Sequence, residues 1–356
     1  MLNTEFQNAR IAGICSAVPK RVVGIDELAS LFGEEEAAKV AKSTGVFKRR
    51  VAGTGLCTSD FCLAAARRLL EDMKWDPTSI QALIFVSQTP DYRLPATACV
   101  LHGQLGMSKS CTAFDVNLGC SGYVYGLWLA AQFIQASGMQ RVLLLVGDKL
   151  TPYLSQKDRS TYPIFGDAGT ATAIERTPDS EKMFFSLASD GAGARNLMIP
   201  AGCCRMPNSA ATSIRREFEN GNYRSDEDLY MNGAEVFAFT LKEVPPMIDE
   251  ILLSAQWQRE SVNHFVFHQA NRFMLDFLAK KMKLLPTKIP LSLQEYGNTS
   301  SASIPLTISA CLRDQLTLPE RQKIVLGGFG VGWSLGACAT EMGSLVLHPI
   351  LEVSEP

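Results

Sequence analysis

One of the ten cysteines has a sequence context that suits a nucleophile. Cys120 lies in the segment Asp115-Val-Asn-Leu-Gly-Cys-Ser-Gly-Tyr-Val-Tyr-Gly126, with a strand-like segment before it and a helix-like segment after it. A sulfur at a helix N-terminus is near the positive end of the helix dipole, which stabilises a thiolate. Gly119 and Gly122 allow a tight turn and close approach of a substrate. From this local context alone, a nucleophile and a structural thiol both remain open.

Two further polar residues occupy positions where α/β proteins place functional groups. His268 ends the strand-like segment His264-Phe-Val-Phe-His268, and the carboxyl end of a buried strand is a common place for ligands and catalysts. A structural histidine is the alternative. Asn298 precedes a helix-like segment within Gly297-Asn-Thr-Ser-Ser-Ala-Ser-Ile-Pro305. An asparagine there is also what a helix N-cap requires, so a cap is the alternative.

The segments that must position these residues form two similar series. Apolar, β-branched segments alternate with helix-like ones, which favours an α/β fold. The first half predicts strands over 80–87, 113–117 and 140–147 and a helix over 121–137. The second half predicts strands over 263–267 and 323–328 and a helix over 300–312. This repeated order predicts two related halves, 1–178 and 179–356, whose turns at Cys120 and Asn298 face one pocket. The polar stretch 202–228 is predicted to be a surface excursion.

Composition narrows the class of function. The chain has 356 residues, 34 Lys+Arg and 36 Asp+Glu, and its net charge of −2 argues against a dedicated nucleic-acid binder. No apolar run reaches the length of a membrane span and no signal peptide is evident, so we expect a cytoplasmic protein with reduced thiols. The four histidines and the cysteine spacings form no zinc pattern, and no Walker sequence occurs. We therefore expect no metal and no cofactor.

Several motifs together resemble the β-ketoacyl-acyl-carrier-protein synthase III family, within the thiolase-fold condensing enzymes. The matching stretches occur in the family's order across most of the chain: Asp115–Gly126, Ile164–Thr170, Met231–Phe237, His268–Asn271, Gly297–Pro305 and Gly328–Gly332. The resemblance implies an α/β, thiolase-like fold with five α-β-α-β-α layers built from two duplicated halves. The half 1–178 would carry the nucleophilic cysteine, and the half 179–356 would carry the histidine and the asparagine.

The resemblance implies a catalytic triad of Cys120, His268 and Asn298. The cysteine would take an acyl group from a thioester, and a malonyl thioester would then decarboxylate and attack that acyl group to give a β-ketoacyl product. The histidine and asparagine would donate hydrogen bonds to the enolate, and the backbone N–H groups of Cys120 and Val331 would form the oxyanion hole. Related elongating synthases have a second histidine at the Asn298 position and thiolases a second cysteine, so Asn298 points away from both.

The resemblance also assigns substrate positions, with two departures from the family. Met231 and Asn271 correspond to pocket positions. Arg159 matches an arginine of the family's coenzyme A site, whereas the tryptophan that stacks opposite it corresponds to Lys39. Leu94 stands where the family places a pocket aromatic contributed across its dimer. These departures suggest a specialised synthase, in secondary metabolism or surface-glycan assembly, instead of housekeeping fatty-acid initiation.

The expected partners follow from the same resemblance. They are an acyl-coenzyme A or acyl-carrier-protein donor, a malonyl-carrier protein and a second copy of the chain in a homodimer. Arg272, displaced by one place from the family's arginine, and Lys280 and Lys281 are the carrier-docking candidates. Ordinary solvated charges are the alternative for the two lysines.

Two other functions remain open from the sequence. The same scaffold could move the cysteine-bound acyl group to an oxygen or nitrogen nucleophile, since that reaction needs the same acyl-cysteine and histidine. A non-catalytic partner subunit is the third hypothesis. The intact set of Cys120, His268 and Asn298 argues against it, because a decayed copy is expected to lose at least one of them.

Overall fold

The computed structural model describes residues 1–177, 181–218 and 221–355. In chain order the strands are β1 Leu2–Gln7, β2 Ala9–Pro19, β3 Val22–Gly24, β4 Lys48–Arg50, β5 Ala82–Val86, β6 Thr112–Val116, β7 Arg141–Asp148, β8 Ala168–Arg176, β9 Lys182–Ser189, β10 Leu197–Met198, β11 Arg216–Phe218, β12 Asn222–Arg224, β13 Tyr230–Met231, β14 His264–Phe267, β15 Gln322–Gly330, β16 Ser334–Met342, β17 Val346–Leu347 and β18 Leu351–Val353. The α-helices are α1 Ile25–Phe32, α2 Glu34–Thr44, α3 Thr58–Met73, α4 Thr97–Gln104, α5 Gly122–Ser137, α6 Gly233–Ala255, α7 Arg272–Lys281, α8 Leu293–Tyr296, α9 Ser303–Cys311 and α10 Arg313–Leu316.

Two large sheets dominate the fold. One has the strand order β17-β2-β8-β7-β5-β6, with β18 also pairing with β2, and the other has the order β1-β9-β16-β15-β14. Strands β5 and β7 are continuous apolar runs, buried along almost their whole length. Such runs are typical of strands covered on both faces, so helices must pack on each side of these sheets.

The helices form three layers around the two sheets. The apolar helix α5 is buried between the sheets with α9, where Val124 and Ile304 share a core with Leu144 of one sheet and Leu326 of the other. Helices α3 and α4 cover the outer face of the first sheet. Helices α6 and α7 cover the outer face of the second. The result is the five-layered α-β-α-β-α arrangement that the sequence predicts.

The strand pairing shows the duplication directly. In the first half, β5 is parallel to β7, β7 is antiparallel to β8, and β8 is antiparallel to β2. In the second half, β14 is parallel to β15, β15 is antiparallel to β16, and β16 is antiparallel to β9. The predicted boundary at 178/179 falls outside the described residues. Strand pairing crosses that point, because β1 joins the second sheet and β17 and β18 join the first.

The elements predicted around the candidate residues are confirmed, with small shifts of their ends. The predicted helix 300–312 begins as a 3₁₀ turn at Ser300–Ala302 before α9. The stretch 202–228 is largely exposed and contains the β11–β12 hairpin. It is more than a surface excursion, because Gly202 and Cys203 at its start line a cavity that Cys120 also lines. No helix in the described ranges is both long and apolar enough to cross a lipid bilayer.

Candidate active site

Cys120 lies in the turn between β6 and α5 and is only 7% exposed. The end of β15 packs directly against it. A Cβ added at Gly330 would lie 2.8 Å from the Cys120 Cβ, and the φ of Gly330 is 153°, so glycine is required there. A Cβ at Gly119 would lie 2.2 Å from the Gln88 Oε1. The Gly330 contact brings the backbone of the second half to the cysteine of the first, and the Gly119 contact packs the loop after β5 against the same turn.

The electrostatic setting of Cys120 differs from the sequence-based expectation. Burial raises the pKa of the Cys120 thiol to about 11. The backbone N–H of Val331 and the Ser300 hydroxyl act to lower that pKa, whereas the nearby Asp148 acts to raise it. Burial thus acts against the thiolate that a helix N-terminus is expected to stabilise, and it favours the protonated thiol at neutral pH.

His268 directly follows β14, and its position is fixed by hydrogen bonds on both sides. Its backbone N–H donates to the Gly327 carbonyl at 2.8 Å, and its Nδ1 lies 2.8 Å from the Ser303 Oγ at the start of α9. The ring meets Phe329 edge-on with centroids 5.7 Å apart. Burial lowers the pKa of His268 to about 4, so the imidazole is neutral at pH 7. In the tautomer in which Nδ1 accepts from the Ser303 hydroxyl, Nε2 carries the proton and can donate.

Asn298 is held at both backbone and side chain. Its N–H donates to the Ile164 carbonyl at 2.9 Å, and its own carbonyl accepts from Gly166 N–H at 3.0 Å. The side-chain Oδ1 accepts from Ser300 N–H at 2.9 Å, and Nδ2 donates to the Ala270 carbonyl at 3.3 Å. The hydrogen bond to Oδ1 stabilises the turn, as expected for a helix N-cap residue. The Nδ2 bond links the asparagine to the segment that follows His268.

Cys120, His268 and Asn298 line one cavity of about 60 Å³, together with the predicted pocket residues Met231 and Asn271. Cys120 also lines a second cavity of about 280 Å³, together with Val331 and Ser300. The wall of this second cavity is mostly apolar: Leu150, Tyr153, Phe165, Leu197, Met198, Ile199, Ala201 and Leu229. The cysteine therefore lies where two cavities meet.

A groove of about 730 Å³ adjoins the smaller cavity. Met231 and Gly233 line both spaces. Arg159 lies beside this groove: its backbone N–H donates to the Asn222 Oδ1 at 3.0 Å, and Asn222 lines the groove. The Arg159 side chain is 43% exposed and lies 3.9 Å from Glu36.

Leu94 is not part of either cavity at Cys120 in its own chain. Its side chain is 83% exposed. A pocket role for Leu94 would therefore need a second copy of the chain, as the sequence-based expectation already required.

The docking candidates lie on α7, which begins after the N-cap Asn271. Arg272 Nε pairs with the Asp276 carboxylate at 3.3 Å, and Lys281 Nζ donates to the Leu241 carbonyl at 2.7 Å. Lys280 is exposed in the last turn. Two of the three cations thus already have partners within the chain.

Sequence reasoning missed a buried carboxylate beside the site. Asp148, at the end of β7, is fully buried. Its Oδ1 accepts from Gln88 N–H at 2.7 Å, and its Oδ2 accepts from the Ser301 N–H at 3.1 Å and the Ser301 hydroxyl at 2.6 Å. It thus joins the loop after β5 to the turn before α9. The sequence signal that could have identified Asp148 is an acidic residue at the end of an otherwise apolar strand.

A five-layered fold with a cysteine at the meeting point of two duplicated halves defines the class of the protein: it is a thiolase-fold condensing enzyme. Models of the 3-oxoacyl-[acyl-carrier-protein] synthase III family and of its C-terminal part match residues 114–194 and 252–342. The chain belongs to this family of fatty-acid biosynthesis and is an acyltransferase-type enzyme.

Individual relatives agree with this assignment over nearly the whole chain. A putative 3-oxoacyl-[acyl-carrier-protein] synthase 3 of Campylobacter jejuni is 35% identical over 354 residues, which cover 98% of each chain. The crystal structure of a 3-oxoacyl-(acyl-carrier protein) synthase from Burkholderia xenovorans is 43% identical, with a TM-score of 0.93 and 99% of each chain covered. The priming β-ketosynthase of the R1128 polyketide biosynthetic pathway is 25% identical, with a TM-score of 0.81 and coverage of 97% and 98%.

Proposed function

We propose that Cys120 carries the acyl group and that His268 and Asn298 activate a malonyl thioester. The Cys120 sulfur attacks the donor carbonyl, the donor thiol leaves, and an acyl-cysteine remains. The malonyl thioester then loses CO₂, and the resulting enolate carbon attacks the acyl carbonyl. The Cys120 sulfur leaves, and the product is a β-ketoacyl thioester. The single observation that carries this proposal is that the three side chains line one cavity.

The protonation states support this division of roles. A neutral imidazole with its proton on Nε2 can donate to the enolate oxygen, and the low pKa of His268 keeps it neutral. The Asn298 amide has a second N–H besides the one bonded to Ala270, and this N–H is the second donor. The backbone N–H groups of Cys120 and Val331 form the oxyanion hole, a role supported by the reach of the Val331 N–H to the sulfur.

The two cavities suit different parts of the reactants. The larger, mostly apolar cavity is the acyl pocket, because an acyl chain is stabilised by apolar walls. The smaller cavity and the groove past Met231 and Gly233 receive the arm of the thioester, with Asn271 on its wall. The donor is an acyl-coenzyme A or an acyl-carrier protein and the extender is carried on a carrier protein, the partner that the names of the relatives contain. We further propose that this takes place in the cytoplasm.

We also propose a homodimer. Within the described chain, β6 pairs with β5 on one side only, and four of its five residues are half-buried. An open strand edge of this kind is a ready site for pairing with another chain. Because β6 leads directly into the Cys120 turn, a partner there would bring its exposed Leu94 towards the neighbouring site.

A specialised acyl substrate is the finer part of the proposal. Lys39 is exposed on α2 where a stacking tryptophan would stand, and Leu94 replaces an aromatic residue. Both changes remove aromatic contacts, which argues for a donor or acyl group that differs from that of the housekeeping enzymes.

The test is acylation followed by product analysis. A mass-tagged acyl thioester is expected to add one acyl group to the wild-type chain and none to Cys120→Ala. Cys99→Ala, which removes an exposed thiol on α4, is the matched control and should be acylated normally. With malonyl-carrier protein present, a β-ketoacyl product and CO₂ should form. Acylation without decarboxylation would instead establish transfer to an oxygen or nitrogen nucleophile, and no acylation would establish a non-catalytic subunit.

A further inference from the structure

The turn between β15 and β16 carries Val331, whose backbone N–H reaches the Cys120 sulfur. Strand pairing ends at Gly330 and Ser334, so the three residues between them lie outside the ladder. The φ angles of Gly330 and Gly332 are 153° and 133°, a region that glycine adopts far more readily than other residues. Because glycines on both sides allow many backbone conformations, a further contact is needed to hold the peptide groups of Val331 in one direction.

The hydroxyl of Ser334, the first residue of β16, supplies such a contact. Its Oγ donates to the Val331 carbonyl at 2.8 Å and lies 2.6 Å from the Ser121 Oγ. A hydroxyl has one hydrogen, so with that hydrogen given to Val331, Ser121 donates to Ser334. Ser121 is fully buried and Ser334 is 3% exposed, so water competes little for either bond.

The two hydrogen bonds connect the turn of the nucleophile with the turn of Val331. Ser121 directly follows Cys120 in the first half, and Ser334 belongs to the second half. The backbones approach closely at Gly328, where a Cβ would lie 2.8 Å from the Ser121 Cα. The N–H groups of Cys120 and Val331, the two proposed oxyanion donors, are therefore held relative to each other by the pair of hydroxyls.

The other end of the turn is fixed by Trp333. Its N–H donates to the Asp190 carbonyl at 2.8 Å, and its carbonyl accepts from the Asp190 N–H at 3.0 Å. The indole stacks on the ring of Phe239 with centroids 4.5 Å apart. With Trp333 held by these contacts, the direction of the Val331 peptide groups depends on the bond from Ser334.

We propose that Ser334 is a positioning residue for acylation: its hydroxyl, supported by Ser121, holds Val331 so that the Val331 N–H points at the acyl carbonyl oxygen. This rests on the function proposed above. Donors that are aimed at a developing oxyanion before the reaction are effective because nothing has to reorient as the charge forms. The described walls of the two cavities at Cys120 do not include Ser334, so it acts through the backbone of the turn.

A second pair of buried serines provides a matched control. The Ser309 Oγ donates to the Pro305 carbonyl at 3.1 Å and lies 2.9 Å from the Ser16 Oγ. Ser309 is 4% exposed and Ser16 is fully buried. The bonding pattern is that of Ser334, but this pair joins α9 to β2. Removing Ser309 therefore separates the loss of a buried hydroxyl from a change in the direction of Val331.

The experiment compares Ser334→Ala with Ser309→Ala in two reactions. One is single-turnover acylation of Cys120 by acetyl, butanoyl and octanoyl thioesters of pantetheine, and the other is release of CO₂ from malonyl-carrier protein. We expect Ser334→Ala to lower the maximal acylation rate by about 10–100-fold, less than the loss of about 10²–10³-fold when an oxyanion donor is removed. The half-saturating thioester concentration and the decarboxylation, which uses His268 and Asn298, should be unchanged. Ser309→Ala should match wild type.

Two further variants test the chain of bonds. Ser121→Ala keeps the bond from Ser334 to Val331 but removes its support, so acylation should slow by only about threefold. Ser334→Thr keeps the hydroxyl and should recover most of the wild-type rate. The double variant of Ser121 and Ser334 to alanine should be no slower than Ser334→Ala, because both side chains act through one path.

Each other outcome has its own meaning. Unchanged acylation in Ser334→Ala, or in Ser121→Ala where urea unfolding shows that Ser334→Ala does not fold, would overturn the positioning role, while acylation of wild type would show that the proposed function holds. An equal fall of acylation and decarboxylation, or an equal loss in Ser309→Ala, would overturn it too and identify a structural role. Absence of wild-type acylation from every donor would instead refute the proposed function.

Discussion

The two halves of the molecule share one topology but carry different chemistry. The strands β5, β7, β8 and β2 repeat as β14, β15, β16 and β9 with the same pairing directions. The loop after β5 begins with Ser87 and Gln88, whereas the residue after β14 is His268. The turn before α5 carries Cys120, and the turn before α9 carries Asn298. Under the proposed function, one half holds the acyl group and the other activates the second substrate.

Burial favours the neutral form of the reactive side chain in both halves. It raises the pKa of Cys120 to about 11 and lowers that of His268 to about 4. An acid and a base therefore both become neutral at pH 7, because a low-dielectric site disfavours either charge. The comparison predicts that the two halves can be disabled separately.

The largest effect is expected from Cys120→Ala, which disables the first half alone. Condensation should fall by about 10³-fold or more, since the covalent step is lost. Decarboxylation of malonyl-carrier protein should continue, because His268 and Asn298 remain in place. Trapping of released CO₂ measures this, and its disappearance in the variant would show that the halves do not act separately.

His268→Ala should disable the second half alone. Removing one enolate donor is expected to slow decarboxylation by about 10²–10³-fold. Acylation of Cys120, followed by intact-protein mass, should proceed to completion. An acylation rate that falls as far as decarboxylation would mean that the histidine is also the base for the cysteine.

The reactivity of Cys120 should rise with pH. With a thiol pKa of about 11, the thiolate fraction grows about tenfold for each pH unit between 7 and 10. The rate of alkylation by iodoacetamide, read by peptide mass at this residue, should follow that slope. A rate that levels off near pH 8 would indicate a thiolate already stabilised in the free protein.

The low pKa of His268 has a consequence for stability. Because the folded pKa lies below the unfolded one, the unfolded chain takes up this proton first as the pH falls. The contribution of His268 to stability is therefore present above about pH 6.5 and is lost between there and about pH 4. His268→Gln should flatten this part of the pH dependence of urea unfolding.

The smallest effect is expected from a substitution of Asp148, whose hydrogen bonds join the loop after β5 to the turn before α9. Asp148→Asn replaces one of the two buried oxygens that accept from Gln88 and Ser301 by an NH₂ donor and should cost about 1–3 kcal/mol of unfolding free energy. It also removes a charge that raises the Cys120 pKa, so alkylation at fixed pH should become faster. Urea titration and the alkylation rate measure the two effects. Slower alkylation with unchanged stability would contradict this account.

Much of this arrangement was predictable from local sequence. The strands β5, β7 and β14 were predictable because each contains a continuous apolar run. The pKa direction of Cys120 was not, because the desolvation comes partly from Gly330, more than half the chain away. The contact between the rings of Phe237 and Phe273 was not predictable either, because it arises only from the packing of α6 on α7.

The exchange of strands between the halves bears on how the protein emerges from the ribosome. Strand β2 is synthesised well before β17 and β18, the strands that cover its outer edge. Until then, the nascent first sheet presents an open edge, which is a template for wrong pairing. Ribosome-bound chains stopped at residue 345 should thus be cleaved by protease within β2, and chains extended past residue 353 should resist it.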